Sequence, residues 1–315
     1  QLNVKECPEC GNTHWKVYLN AESGLGNCFV CDTKFTKWRF IDAHLGGTRR
    51  DTFQHVEAYM AEQGWAPPKH DPAPAAKPAL KLPESVPIPV NGRNLSYLSR
   101  RNISIELARF FQLRYCHVGG FAYLDAYGRP AEQDYSRRVV VPVFDLDGQL
   151  VSFQGRDITG AADKKYLFPP SFSATGSVLY NGNNAFKAKR LVIGEGVFDA
   201  FAIKAAIDSD PSLEDCAAVA TIGKKLAPGQ LEKIKRLKNE GALRKVIFMW
   251  DAEKSAITAA CNAALLCRSH GIEAAVALLP KDCDPNEVDA AVIQEAIKNA
   301  ADITPMKAIS MMVRP

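Results

Sequence analysis

Leu191-Val192-Ile193-Gly194-Glu195-Gly196-Val197-Phe198-Asp199 begins with an apolar run, turns through two glycines that flank an acid, and sets a second acid four residues further on. Such a run reads as a strand buried on both faces that feeds into a helix, because a half-exposed strand would alternate polar and apolar residues. Three more runs have the same character: Ala217-Ala218-Val219-Ala220, Val246-Ile247-Phe248-Met249-Trp250 and Ala274-Ala275-Val276-Ala277-Leu278-Leu279. Helices are expected near 197–207, 228–240 and 254–270. Strands alternating with helices predict an α/β class with a doubly wound parallel sheet covered on both faces.

Acids follow three of the four runs. Glu195 and Asp199 come after the first, Asp251 and Glu253 after 246–250, and Asp282 and Asp284 after 274–279. In an open parallel sheet all these strand ends lie on one edge, where such folds place their active sites. So many carboxylates repel one another unless cations sit between them, and oxygen ligands suit Mg2+ or Mn2+. Singly, each cluster has a plainer reading: Asp199 as a helix cap favoured by the dipole, Asp251 and Glu253 as loop residues. The convergence carries the metal reading.

Upstream of the sheet, the segment around 95–111 suggests two short helices, with Ser104 capping the second. Residues 138–156 read as a hairpin turning at Asp147-Gly148, a type I′ signal. Residues 91–190 carry 14 Lys and Arg against 8 Asp and Glu, whereas residues 191–315 carry 15 against 17. A basic block before an acidic third fits a phosphate-binding surface beside a metal site, although a solvated face gives the same count. The net charge of +4 and 47% apolar content of the 315 residues fit a globular chain. No apolar stretch is long enough for a membrane span and no secretory signal is evident, so a cytoplasmic protein is expected.

Residues 66–90 hold eight prolines and no helical or strand period, which predicts a semi-extended linker. Before it, Cys7-Pro8-Glu9-Cys10 and Cys28-Phe29-Val30-Cys31 are spaced as two knuckles that close one tetrahedral Zn2+ site on a small β ribbon. Two local disulfides or a thioredoxin-like pair are the alternatives. Four sulfur ligands leave no open position, so this zinc would be structural. Trp15, Tyr18, Phe29, Phe35, Trp38 and Phe40 either stack on unpaired bases or supply the ribbon's own core. His14 has no role in a site that four cysteines complete. The other five cysteines read as reduced packing residues.

Gly194-Glu195-Gly196-Val197-Phe198-Asp199-Ala200, Trp250-Asp251-Ala252-Glu253 and Lys281-Asp282-Cys283-Asp284-Pro285-Asn286 resemble the three motifs of the TOPRIM domain, shared by bacterial-type primases, topoisomerases and several small nucleases. Tyr97 to Ser104, Arg138-Val139-Val140-Val141-Pro142, Phe153-Gln154-Gly155-Arg156 and Lys165-Tyr166-Leu167 resemble the subdomain that precedes TOPRIM in the bacterial DnaG-like primase. With the ribbon, the resemblance covers nearly the whole chain, and the four-cysteine ribbon itself is most like those of phage primases and primase-helicase fusions.

The resemblance implies a zinc ribbon over 1–65, the linker over 66–90, a basic nucleic-acid-contacting subdomain over 91–189, a TOPRIM subdomain over 190–292 and a helical tail over 293–315. It implies a DNA primase that makes short RNA primers on single-stranded DNA from ribonucleoside triphosphates by two-metal nucleotidyl transfer. Glu195 would be a catalytic acid or base; Asp199, Asp251, Glu253 and Asp284 would bind Mg2+ or Mn2+, with Asp251 and Glu253 also counted as catalytic. Arg138, Arg156 and Lys165 would contact template, nucleotide or primer, although Arg156 also reads as an ordinary surface charge. A separate replicative helicase is the expected partner, since the sequence has no phosphate-binding Gly-x-x-x-x-Gly-Lys-Ser/Thr stretch. Glu253 and Asn286 depart from the usual aspartates, and Asn286 puts one metal subsite in question. The rival readings are a TOPRIM nuclease or topoisomerase-like enzyme, and a non-catalytic zinc-ribbon single-stranded DNA-binding protein.

Overall fold

The computed structural model describes residues 2–63, 80–125, 128–281 and 283–313. They divide into two compact units, Gln1–Pro78 and Ala79–Pro315. Among the described residues no helix is long and apolar enough to cross a membrane.

The first unit is an antiparallel meander of Leu2–Val4, Val17–Leu19, Gly26–Cys28 and Lys34–Phe35, followed by helices Lys37–Leu45 and Arg49–Glu62. The first helix starts where Thr36 accepts from Arg39 N and stops at Gly46 in the left-handed region. The core is very small: Cys7, Val17, Leu19, Cys28 and Phe35, with Val4 and Phe40 against it. A unit with so few buried side chains, two of them cysteines, needs a further source of stability. The aromatics divide between the two readings, for Phe35 is buried while Trp15 and Phe29 are 52% and 66% exposed.

In the second unit five antiparallel strands run in the order Tyr166–Leu167, Leu150–Asp157, Arg138–Phe144, Arg114–Cys116, Val86–Pro87. The two short helices appear as Ser96–Ser99 and Ile105–Phe110, with Ser104 Oγ accepting from Leu107 N at 3.2 Å. The hairpin forms, but its turn differs from the two-residue loop expected at Asp147-Gly148. Asp145 N donates to Gln149 O at 3.0 Å, leaving a three-residue loop in which only Gly148 has a positive φ. The Asp145 carboxylate explains this, because it accepts from both Asp147 N and Gln149 N and so closes the wider turn.

Half of the expected linker is not a linker. Val86–Pro87 pairs with Arg114–Cys116, Ile88 is 2% exposed, and Leu80 and Leu82 pack on the cluster around Phe121, Tyr135 and Phe153. Proline content misled here: Pro87 and Pro89 sit on or beside an edge strand, where a missing N–H is tolerated. Residues 66–79 lie outside the described residues.

A second five-stranded sheet runs in the order Cys216–Ala220, Arg190–Gly194, Lys245–Phe248, Glu273–Val276, Ala301–Asp302; the first four strands are parallel and the last antiparallel. Successive residues point to opposite faces. Leu191, Ile193, Val246 and Phe248 pack with helices Pro228–Glu240, Lys254–Ser269 and Pro305–Met312, and Val192, Ile247 and Ala275 with helices Val197–Asp208 and Ala290–Lys298. The tail expected to be helical over 293–315 thus completes the sheet and buries Ala308 and Met311. A two-residue strand is too short to show a period in sequence. The expected boundary at 189/190 is no break in packing either, because Leu98, Leu107, Phe111 and Val141 share one core with Phe198, Phe201 and Ile222.

Candidate active site

The strand Arg190–Gly194 is followed at once by Glu195, whose turn is fixed by Asp199 in the next helix. Asp199 Oδ2 accepts from Glu195 N at 3.1 Å and Gly196 N at 2.8 Å. Gly194 is required for this tuck, since a Cβ there would stand 2.7 Å from Asp199 Cβ. Asp199 Oδ1 accepts from Asn286 Nδ2, and Asp284 Oδ1 accepts from Asn286 N at 2.7 Å. The neutral Asn286 therefore bridges two acids where another carboxylate would repel both. On the adjacent loop Asp251 N lies 3.4 Å from Glu195 Oε1, and Ala252 N donates to Cys283 O at 3.1 Å, which joins the second and third acidic loops. Asp282 lies outside the described residues.

The electrostatics record this crowding. Burial first, and then the charges of Asp284, Asp251 and Glu195, push Asp199 up to about 7 against the opposing N–H of Gly196. Glu195 is raised by burial and by Asp251, and Asp251 by burial and by Asp284. Lys224 holds both down. Its Nζ lies 3.9 Å from Asp251 Oδ2 and 3.7 Å from Glu253 Oε2. The acids nonetheless do not draw in as tightly as the cysteines: among the described residues the only group of three or more ligand atoms within 4.8 Å of one another is Cys7, Cys10, Cys28 and Cys31.

That cysteine set fits a metal. Cys7 Sγ and Cys31 Sγ are 3.9 Å apart, close to the roughly 3.8 Å expected of sulfurs about 2.3 Å from one tetrahedral centre. The cysteines are free of disulfides. The knuckles are held by Gly11 N donating to Cys7 O at 2.8 Å and by Val30 N donating to the Cys28 side-chain Sγ at 3.4 Å. His14 is exposed and bonds Asn12, apart from the cluster.

Of the three basic residues, Arg156 packs against Phe198, the chain neighbour of Asp199. It is only 5% exposed, so it is no ordinary surface charge, and its guanidinium lies 4.5 Å from the Tyr166 ring, 5.3 Å from Phe198 and 5.8 Å from Tyr97. Its Nε has no hydrogen-bond partner, and it forms no ion pair among the described residues. Arg101, which the sequence did not single out, shares the frame at 5.1 Å from Tyr97 and 5.7 Å from Phe198. Lys165 is exposed. Arg138 is 6% exposed and donates to Gly155 O and Lys165 O at 3.3 and 3.4 Å, so its guanidinium braces the strands.

Residues 192–289 match the Toprim-like family. The chain is 25% identical to the DNA primase of Helicobacter pylori strain J99 over 229 residues, which are 65% of this chain and 39% of that protein. It is 28% identical to the DNA primase of Campylobacter jejuni over 52% of this chain and 26% of that one. The chain thus spans about two fifths or less of the length of these relatives. The E. coli primase catalytic core superposes with a TM-score of 0.55 at 21% identity, covering 69% of this chain and 75% of that one. The zinc-binding and RNA polymerase domains of the Aquifex aeolicus primase do so at 0.52 and 16% identity, over 94% and 80%. Residues 192–289 are therefore similar to the Toprim-like family, and the larger unit shares the fold of the DnaG-type primase catalytic core.

Proposed function

We propose that this chain is a DNA primase, joining ribonucleotides from their triphosphates into short primers on a single-stranded DNA template. The observation that carries the reading is the meeting of Glu195, Asp251 and the Asp199–Asn286–Asp284 chain at one sheet edge, beside the ring-framed Arg156, whose Nε has no hydrogen-bond partner among the described residues. The similarity to bacterial DNA primases supports it, as does a neighbour of the same fold, a DnaG catalytic domain bound to single-stranded DNA, at TM-score 0.52 and 22% identity over 65% of this chain and 73% of that one.

The acids fit divalent cations, since burial and the charge of Asp284 raise Asp251, and the Lys224 ammonium already stands 3.9 and 3.7 Å from Asp251 and Glu253. Asp251, Glu253 and Asp284 would hold Mg2+ or Mn2+, which would supply charge neutralisation for the attacking hydroxyl and the leaving pyrophosphate. Asp199 acts one step back from the ligands proposed in sequence. Both of its oxygens are engaged, and it holds the Glu195 turn and Asn286 in place. Glu195, buried and titrating high, accepts or returns a proton near the reacting hydroxyl. Arg156 and Arg101 offer guanidinium donors to phosphate, and exposed Lys165 adds charge for the template backbone.

Zn2+ at Cys7, Cys10, Cys28 and Cys31 is structural on this reading, because four sulfurs leave no open position. The exposed Trp15 and Phe29 of that unit suit stacking on template bases. A replicative helicase as partner is what the resemblance implies. Radiolabelled ribonucleotide incorporation on single-stranded DNA by the zinc-loaded chain tests the proposal; no incorporation with either Mg2+ or Mn2+ would overturn it.

A further inference from the structure

Lys224 lies just beyond the strand Cys216–Ala220, the one parallel strand end where the sequence offers no acid. Its loop is tightly determined. Gly223 N donates to Glu195 O at 3.1 Å, and Thr221 Oγ1 donates to Gly223 O at 2.8 Å and lies 3.3 Å from Gly194 O. The fully buried Gln230 donates to Thr221 O and to Val178 O at 2.9 Å. Between them Ile222 is held at φ 51, a left-handed conformation that a β-branched residue avoids unless its surroundings impose it. The backbone of Lys224 is therefore registered to Glu195, while its side chain is 58% exposed.

The ammonium reaches Asp251 and Glu253 at ion-pair range but beyond hydrogen-bond range. Divalent cations on those carboxylates would repel it. The anion that enters with the cations is the triphosphate, and a lysine on a flexible stem binds phosphate as a point charge. We propose that Lys224 anchors the triphosphate of the incoming ribonucleotide, resting on Asp251 and Glu253 until metal and nucleotide arrive. The inference rests on the primase reading and adds to it a residue that acts as a placeholder for the metal and then as a phosphate contact.

The test uses the full zinc-loaded chain and its Lys224→Ala and Lys224→Arg variants, with three binding titrations: Mn2+ alone, GTP in saturating Mn2+, and single-stranded DNA. Removing the competing ammonium should tighten Mn2+ binding by roughly 3-fold, as expected of a partly exposed ion pair. GTP binding should weaken by roughly 10-fold, the loss of one charge-assisted phosphate contact, and Lys224→Arg should recover most of it. Affinity for single-stranded DNA should not move. Unchanged or weaker Mn2+ binding by Lys224→Ala overturns the proposal, as does unchanged GTP binding or a loss that falls on DNA instead. Ribonucleotide incorporation by the wild type in the same preparation is read separately, and its absence would count against the primase reading rather than the lysine's role.

Discussion

Asp199→Asn should make the metal-free protein more stable at pH 8, although it alters a residue at the centre of the site. Asp199 is 6% exposed and receives three donors, the N–H groups of Glu195 and Gly196 and the Asn286 amide. These favour the charged form, yet burial and the neighbouring acids leave the carboxyl at about 7, above its ordinary 3.8. The folded state therefore keeps a proton that the unfolded chain releases. The stability from that proton is complete below the unfolded value and is lost as pH rises through about 7. Full ionisation costs about 4 kcal/mol. Asparagine keeps the shape and one oxygen for the two backbone donors, and Asn286 can turn its carbonyl toward the new amide; weaker bonds return about 1–2 kcal/mol of the gain. The net at pH 8 is about 2–3 kcal/mol, or roughly 5–10 °C in Tm for a unit of this size. Near pH 5 the two proteins should melt within about 1 kcal/mol of each other, because wild-type Asp199 is then protonated. Thermal denaturation of the zinc-loaded chain without added Mg2+ or Mn2+, read on the transition of the larger unit, decides this. A variant that melts below wild type at pH 8 would refute the argument, since the charged cap would then outweigh the burial.

Cys28→Ser should release zinc and unfold the first unit while the larger unit melts unchanged, because two of that unit's five core side chains are cysteines; one equivalent of zinc retained by the variant would contradict this. A core beginning at Leu80 should be more stable than one beginning at Asn91 by about 2–5 kcal/mol, since the shorter form loses buried Ile88 and the edge strand; equal denaturant midpoints would return residues 80–90 to the linker. Lys165→Ala should weaken binding of single-stranded DNA and reduce the slope of affinity against salt by about one unit without changing Tm, whereas an unaltered slope would remove Lys165 from the DNA path.

The parallel sheet was legible in the sequence because its strands are buried on both faces and carry no polar interruption, as at Leu191-Val192-Ile193 and Val246-Ile247-Phe248. The acids were legible because acidic clusters follow three of these runs within a few residues. The features that stayed hidden depend on contacts between distant segments. The edge strand Ala301–Asp302 exists only because Val276 and Ala275 pair with it, and Val86–Pro87 because Tyr115 and Arg114 do. Arg138 and Arg156 look alike in sequence, as basic residues near the two ends of one hairpin. Pairing places one under backbone carbonyls and the other among three rings. Lys224 carries no acidic signal, yet it stands just past Cys216–Ala220, the parallel strand with no acid at its end, so its strand-end position was legible where its role was not. Asn286 was legible as a departure from the pattern, but its bonds to Asp199 and Asp284 are not.

Glu195→Gln puts the central claim to its most direct test, because it preserves the shape of the residue at the junction of the acidic loops while removing its charge. The zinc-loaded chain, given single-stranded DNA, ribonucleoside triphosphates and Mg2+ or Mn2+, should yield short labelled RNA. The variant should bind the same DNA as tightly and yield less than a few per cent of that product, the scale of a lost general acid or base. Product from Glu195→Gln at the wild-type level, or none from the wild type, would contradict the account.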